Sequence, residues 1–307
     1  MTKNPALDER LINFIVGKLD RYINRKREKE RELEEKIWLK KFGTADFILH
    51  QVDEATKIKL YKDSVLSKYI YEGFEKAEID FLKHLLSKGD YFIDIGANIG
   101  LFSLVASPMV GDHGCIISFE PASSTFRRLL ENCELNGIHN VSAFQFGLSD
   151  QKQELLLNLS SSGHEAWNTF VPTGSDKFSS KESVWVQRLD DFILEQGIVE
   201  DRIALIKLDV EGFELNVLKG ADHLLSRENA PVWMIEFTEE NALAAGNCCH
   251  EIYKIMVSYG YDWYSYDPSG MKLIAEPLRL NYPYNNLIAI KNPNEKLKRI
   301  LRGTEKT

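Results

Sequence analysis

Three acidic residues close apolar runs that read as strands. Asp94 follows Tyr91-Phe92-Ile93, Glu120 follows Ile116-Ile117-Ser118-Phe119, and Asp209 follows Ala204 to Leu208. In an open parallel sheet, ligands bind beyond the carboxyl ends of the strands, where the strand order reverses. The first strand runs into the loop Asp94-Ile95-Gly96-Ala97-Asn98-Ile99-Gly100. Gly96 and Gly100 allow a tight turn and a close approach of backbone to ligand, so a nucleotide-like group can lie against this loop. The glycine spacing differs from the G-x-G-x-x-G dinucleotide fingerprint, which weighs against a nicotinamide-dependent Rossmann enzyme. Glu120 is placed to accept both hydroxyls of a ribose. The plainer alternative for it is a solvent-facing carboxylate before Pro121.

A second constellation is Lys207-Leu208-Asp209-Val210-Glu211-Gly212. Carboxylates two residues apart share a face of extended chain. Asp209 and Glu211 could deprotonate a hydroxyl nucleophile or hold a divalent cation. Alternatively, Glu211 caps the following helix and Asp209 alone faces the ligand. Lys207 reads as an ion-pair partner for a neighbouring carboxylate, and Glu236 ends a later strand at the same sheet edge. His164, in a Ser-rich stretch with Glu165, Trp167 and Asn168, could act as a general base near neutral pH or be an ordinary surface residue. A loop there can cover an acceptor site. No residue set is singled out as a dedicated metal site.

Several motifs in order carry a family resemblance over roughly Tyr71 to Phe237. They are Phe74-Glu75, the Asp94 to Gly100 loop, Phe119-Glu120-Pro121, Asn132 with Leu135-Asn136, Gly147-Leu148-Ser149-Asp150, Leu189-Asp190-Asp191 and Ile206 to Glu214. Together they resemble the FkbM-type methyltransferases, within the Rossmann-like S-adenosylmethionine-dependent class. The resemblance implies a class I α/β fold with a mostly parallel seven-stranded sheet and S-adenosylmethionine as cofactor. Asp94, Gly96, Ala97, Asn98 and Gly100 would surround its methionine part, Glu120 with Pro121 its ribose, and Gly147 and Leu148 its adenine. Glu75 would sit near its amino group, although Lys76 stands where the family pattern has proline. Asp209 would border the cofactor, with Asp209, Glu211 and His164 as catalytic candidates. The Asp209 and Glu211 pair could also position the sulfonium side, and a divalent cation is a further cofactor to test. The activity implied is O-methylation of a hydroxyl on a small molecule or glycan. The alternatives are a nicotinamide-type enzyme or a binding module that reuses the fold.

These residues need a scaffold. Apolar strand runs alternate with helical segments from Tyr91 onward, which predicts a parallel sheet covered by helices on both faces. The expected organisation is a charged helical extension at 1–44, a small β-element and helix at 45–90, the Rossmann-like body at 91–292 with a polar insertion at 151–181, and a basic helix or tail at 293–307. A helix is predicted over about Phe74 to Leu86. The N-terminal helix carries a partial apolar stripe and then mixed charges at i,i+4 spacing. It is either a solvated arm or a surface for pairing with a second copy.

The chain has 307 residues and a formal net charge of -8, which argues against a nucleic-acid partner. Four irregularly spaced cysteines make no disulfide framework. With no apolar signal core and no bilayer-length apolar run, a cytoplasmic setting without a membrane span is expected.

Overall fold

The structure, a computed structural model, describes residues 5–160, 167–171, 178–293, 297, 298 and 300. His164 and most of the basic C-terminal segment lie outside the described residues. The chain divides into two compact units, Met1–Ile48 and Leu49–Thr307. No helix among the described residues is long and apolar enough to cross a membrane. All four cysteines are free.

The first unit is dominated by one 38-residue helix, Pro5–Phe42, which ends before Gly43 in the left-handed conformation. Two strands, β1 (Phe47–Gln51) and β2 (Lys57–Tyr61), pair as a two-stranded sheet. The helix predicted from Phe74 is instead the second of two, Val65–Glu72 and Lys76–Leu85. Ser64 opens the first by accepting from the Ser67 amide at 3.0 Å. Gly73 (φ 89°) and Glu75 (φ 54°) then force the chain out of helical dihedrals.

The second unit is built on β3 (Tyr91–Ile95), β4 (Cys115–Phe119), β5 (Val141–Phe144), β6 (Gly147–Leu148), β7 (Gln153–Ser160), β8 (Phe178–Gln187), β9 (Ile203–Leu208), β10 (Val232–Phe237), β11 (Asp262–Asp267), β12 (Lys272–Ala275) and β13 (Asn285–Ile290). Eight of these form the main sheet in the order β12-β11-β13-β10-β9-β3-β4-β5. The five from β10 to β5 run parallel, and β13 lies antiparallel to β10. This is the Rossmann-like class I methyltransferase arrangement, with seven strands extended by β12, which pairs antiparallel with β11 at the edge. The polar stretch at 151–181 is not a plain loop: β7 spans its first part, β8 begins within its last, and with β6 they make a second sheet of order β6-β8-β7.

Strand alternation sorts the core into two layers. Ile93, Ile95, Phe119, Ile206, Leu208, Trp233 and Phe237 belong to a layer completed by the helices Leu189–Gln196, Glu214–Lys219 and Cys249–Ser258. Phe92, Ile116, Leu205 and Met234 belong to the other, against Lys76–Leu85 and Leu101–Val110. From β3 the chain winds one way to β4 and β5, then crosses back to β9 and β10. The reversal therefore falls between β3 and β9, and their register sets Asp94 opposite Lys207.

Candidate active site

At the carboxyl ends of β3, β4, β9 and β10 the structure has a cavity of about 660 Å3, within the usual range for small-molecule sites. On one side runs the loop after β3. Gly96 (φ 83°) donates to the Phe119 carbonyl at 3.0 Å, and a Cβ on it would lie 1.8 Å from the Asp209 carbonyl oxygen. Only glycine fits where two strand ends meet this closely. Asn98 (φ 50°) turns its amide toward Glu120, whose Oε2 accepts it at 3.0 Å while Oε1 accepts the Ala122 amide at 2.9 Å. Glu120 is buried, so the solvent-facing alternative is excluded. Burial pushes its carboxyl up to about 7, against the pull of those two amides.

Asp94 is 1% exposed. Its Oδ2 accepts from Ser103 Oγ at 2.5 Å, and Ser103 in turn meets Ser118 at 2.7 Å. Its Oδ1 is buried and has no hydrogen-bond partner among the described residues. Burial raises the Asp94 carboxyl, partly offset by Lys207.

Opposite lies a cluster of acids around one buried lysine. Lys207 Nζ donates to Asp209 Oδ2 at 2.6 Å and sits 4.8 Å from the centre of the Phe102 ring. Burial works against both charges, but the lysine holds Asp209 below the usual carboxylate range, and Asp209 raises the lysine in return. The neighbours go the other way. Burial first, then the Asp209 charge, push Glu211 and Glu236 well above the ordinary range, and Glu236 shares a hydrogen bond with Asp209. Glu211 (φ 54°) accepts from Asn241 Nδ2 at 2.6 Å, and its own carbonyl accepts from Thr169 Oγ1 at 2.8 Å. Carboxylate oxygens of Asp209, Glu211 and Glu236 lie within 4.8 Å of one another.

The alternative in which Glu211 caps the next helix fails. Glu214, the first residue of Glu214–Lys219, takes the loop amides instead, accepting Val210 at 3.0 Å and Gly212 at 3.2 Å. This frees the Glu211 carboxyl to face the cavity.

Comparison with known proteins matches residues 94–263, just over half of the chain, to the Methyltransferase FkbM domain. The chain belongs to the FkbM methyltransferase family. Methyltransferase sdnD of Sordaria araneosa is 32% identical over 202 residues, covering 55% of this chain and 74% of that protein. Methyltransferase 1 of Beauveria bassiana is 30% identical over 147 residues, covering 43% and 58%. Hexuronic acid methyltransferase AglP of Haloferax volcanii is 31% identical over 158 residues, covering 50% and 60%. The chain thus spans under two thirds of the length of the last two. A solved FkbM methyltransferase from Methylobacillus flagellatus KT aligns with a TM-score of 0.41 at 17% identity, over 66% of this chain and 44% of that one.

Within this FkbM domain and the segment before it, Glu75, Asp94, Gly96, Ala97, Asn98, Glu120, Pro121, Gly147, Leu148, Asp209 and Glu211 all line the one cavity. Gly100 does not line it. It is the left-handed N-cap of Leu101–Val110, packed so that a Cβ would meet Leu129 Cδ1 at 2.5 Å. Glu75 reaches the site despite the missing proline, because its left-handed backbone turns the side chain toward Tyr284 and Asn286, each donating at 3.1 Å. Burial pushes its carboxyl up to about 7.

Sequence reasoning missed Thr238 and Asn241, which follow β10 at the edge where Glu236 was noted, and the contact of Tyr284 with Glu75, more than 200 residues away. The segment Trp167 to Val171, within the stretch expected to cover an acceptor site, lines the cavity and is held by Asn158, whose Nδ2 donates to the Val171 carbonyl at 2.8 Å. The site rule for open sheets points to the residues after β10. Nothing local points to that contact.

Proposed function

We propose that the chain is an S-adenosylmethionine-dependent methyltransferase that acts on a hydroxyl oxygen of a small molecule or glycan. The observation that carries this reading is one cavity holding both the glycine loop with buried Glu120 and the Asp209, Glu211 and Glu236 cluster. The residues suit the cofactor. Asp94 Oδ1 is a buried acceptor without a donor, and an ammonium or hydroxyl would satisfy it. Each Glu120 oxygen accepts one amide and keeps a lone pair for a ribose hydroxyl. Asp94, Asn98 and Glu75 would hold the methionine part, Glu120 with Pro121 the ribose, and Gly147 and Leu148 the adenine.

When bound, S-adenosylmethionine supplies an electrophilic methyl group on a sulfonium cation. The chain's own residues supply position and charge. Asp209, kept ionised by Lys207, is a fixed anion at the sulfonium side of the site. Glu211, whose carboxyl is raised, is the better proton acceptor: it takes the hydroxyl proton as the oxygen gains the methyl group. Asn241 orients it, and Thr169 ties its backbone to the covering segment. Trp167, Phe74 and Tyr69 line the acceptor side with aromatic faces suited to a sugar or flat ring. The hexuronic acid methyltransferase among the relatives supports a glycan-type acceptor.

Calorimetry with S-adenosylhomocysteine tests the reading. We expect wild-type binding and a loss of at least about tenfold in Glu120→Ala, equivalent to about 1.4 kcal/mol. Absence of binding by the wild type, or an unchanged affinity in the variant, overturns it.

A further inference from the structure

The long N-terminal helix presents an unused apolar seam. Starting from Ile12, residues recur at alternating steps of four and three, the spacing of a two-stranded coiled coil. One set of seam positions is Val16, Ile23 and Ile37; the other is Ile12, Leu19 and Leu33. Leu19 is 55% exposed, Leu33 59% and Ile37 52%. Helices in water draw most of their stability from packing an apolar face, and these side chains leave theirs to solvent.

The two polar residues in the seam indicate what covers it. Lys26 and Glu30 occupy adjacent seam positions and pair within the helix at 3.8 Å. If a second helix of the same sequence runs antiparallel with Lys26 opposite the partner's Glu30, then Ile23 meets the partner's Leu33 and Leu19 meets the partner's Ile37. Every layer from Leu19 to Ile37 then sets apolar against apolar or cation against anion. A parallel pair would stack Lys26 on Lys26 and Glu30 on Glu30.

We infer that this helix is a self-association surface, and that two copies of the chain pair through it as an antiparallel coiled coil. The inference is independent of the cofactor and acceptor assignments.

Sedimentation velocity of the full chain over a concentration series tests it. A species of two chains is expected, and Leu19→Glu should weaken dimerisation by roughly 100-fold, because each dimer would bury two unpaired carboxylates. Lys26→Glu should also weaken it, and adding Glu30→Lys in the same chain should restore it. Register is read by mild oxidation, with wild type as the control for native thiols. Chains carrying Ile23→Cys should cross-link to chains carrying Leu33→Cys, and not to themselves. Helical content by circular dichroism confirms that each variant folds. A monomer at all concentrations overturns the inference, even one that binds anionic vesicles or another protein. So does a dimer that survives Leu19→Glu, or self-linking of Ile23→Cys.

Discussion

Asp209 and Glu211 stand two residues apart, yet their carboxyls are pushed in opposite directions. Lys207 holds the first low, and burial beside the first raises the second. Their roles should therefore separate on substitution. Glu211→Gln is expected to lower kcat by about 100-fold or more with little change in cofactor affinity, the usual size of a lost general base. Asp209→Asn should weaken S-adenosylhomocysteine binding as well, since it leaves Lys207 without its direct partner. Because Glu211 must lose its proton to accept another, wild-type kcat should rise with pH through its raised pKa. The residual rate of Glu211→Gln should lack that rise, and a pH-rate series on both proteins decides. The sequence exposed the pair of carboxyls but not this division. Period-two spacing puts Asp209 and Glu211 on one face only if both are extended, whereas Glu211 is left-handed and aims at Asn241.

At the scale of elements, the strand ends and the loops between them set the tolerance to change. Gly96→Ala places a methyl group against the Asp209 carbonyl at a positive φ, and should destabilise the fold by roughly 2–4 kcal/mol in urea titration. Asn132, on the helix Ser123–Leu135, donates to the Ile99 carbonyl at 2.9 Å and accepts the Lys59 amide at 2.7 Å. It ties the Asp94 to Gly100 loop and β2 to one helix face. Asn132→Ala leaves both partners unmatched and should cost about 2–4 kcal/mol, with weaker S-adenosylhomocysteine binding in calorimetry as the sign that the loop has loosened. The motif containing Asn132 was visible in the sequence. Its structural task was not, because both partners are distant in the chain.

For the whole molecule, buried acids dominate the pH response. Burial pushes Glu75, Glu120 and Glu214 each up to about 7, from the usual carboxylate range. A raised folded-state pKa gives stability that is present below the unfolded value and lost as pH rises through the folded one. The unliganded protein should therefore lose thermal stability between about pH 4.5 and 7, and Glu120→Gln should show a shallower decline by scanning calorimetry. Metal dependence is also decided at this scale. Asp209, Glu211 and Glu236 could converge on a cation, but the Lys207 ammonium already occupies Asp209 Oδ2 at 2.6 Å. Chelation is expected to leave methyl transfer intact, and a loss restored by added magnesium would assign the cluster to a metal.

By itself the sequence determined the sheet's parallel centre, the loop from Asp94 to Gly100 and the acids at three strand ends. Strand periodicity, glycine dihedral freedom and the polar residue that closes an apolar run are local properties, written in order along the chain. Only the tertiary structure decided that Glu214 rather than Glu211 holds the loop amides, that Tyr284 and Asn286 reach Glu75, and that Glu120 is buried. Each depends on which strands become neighbours when the chain crosses back at β3 and β9. Burial, which turns a cluster of ordinary carboxyls into groups with separate charges, exists only once that packing is complete.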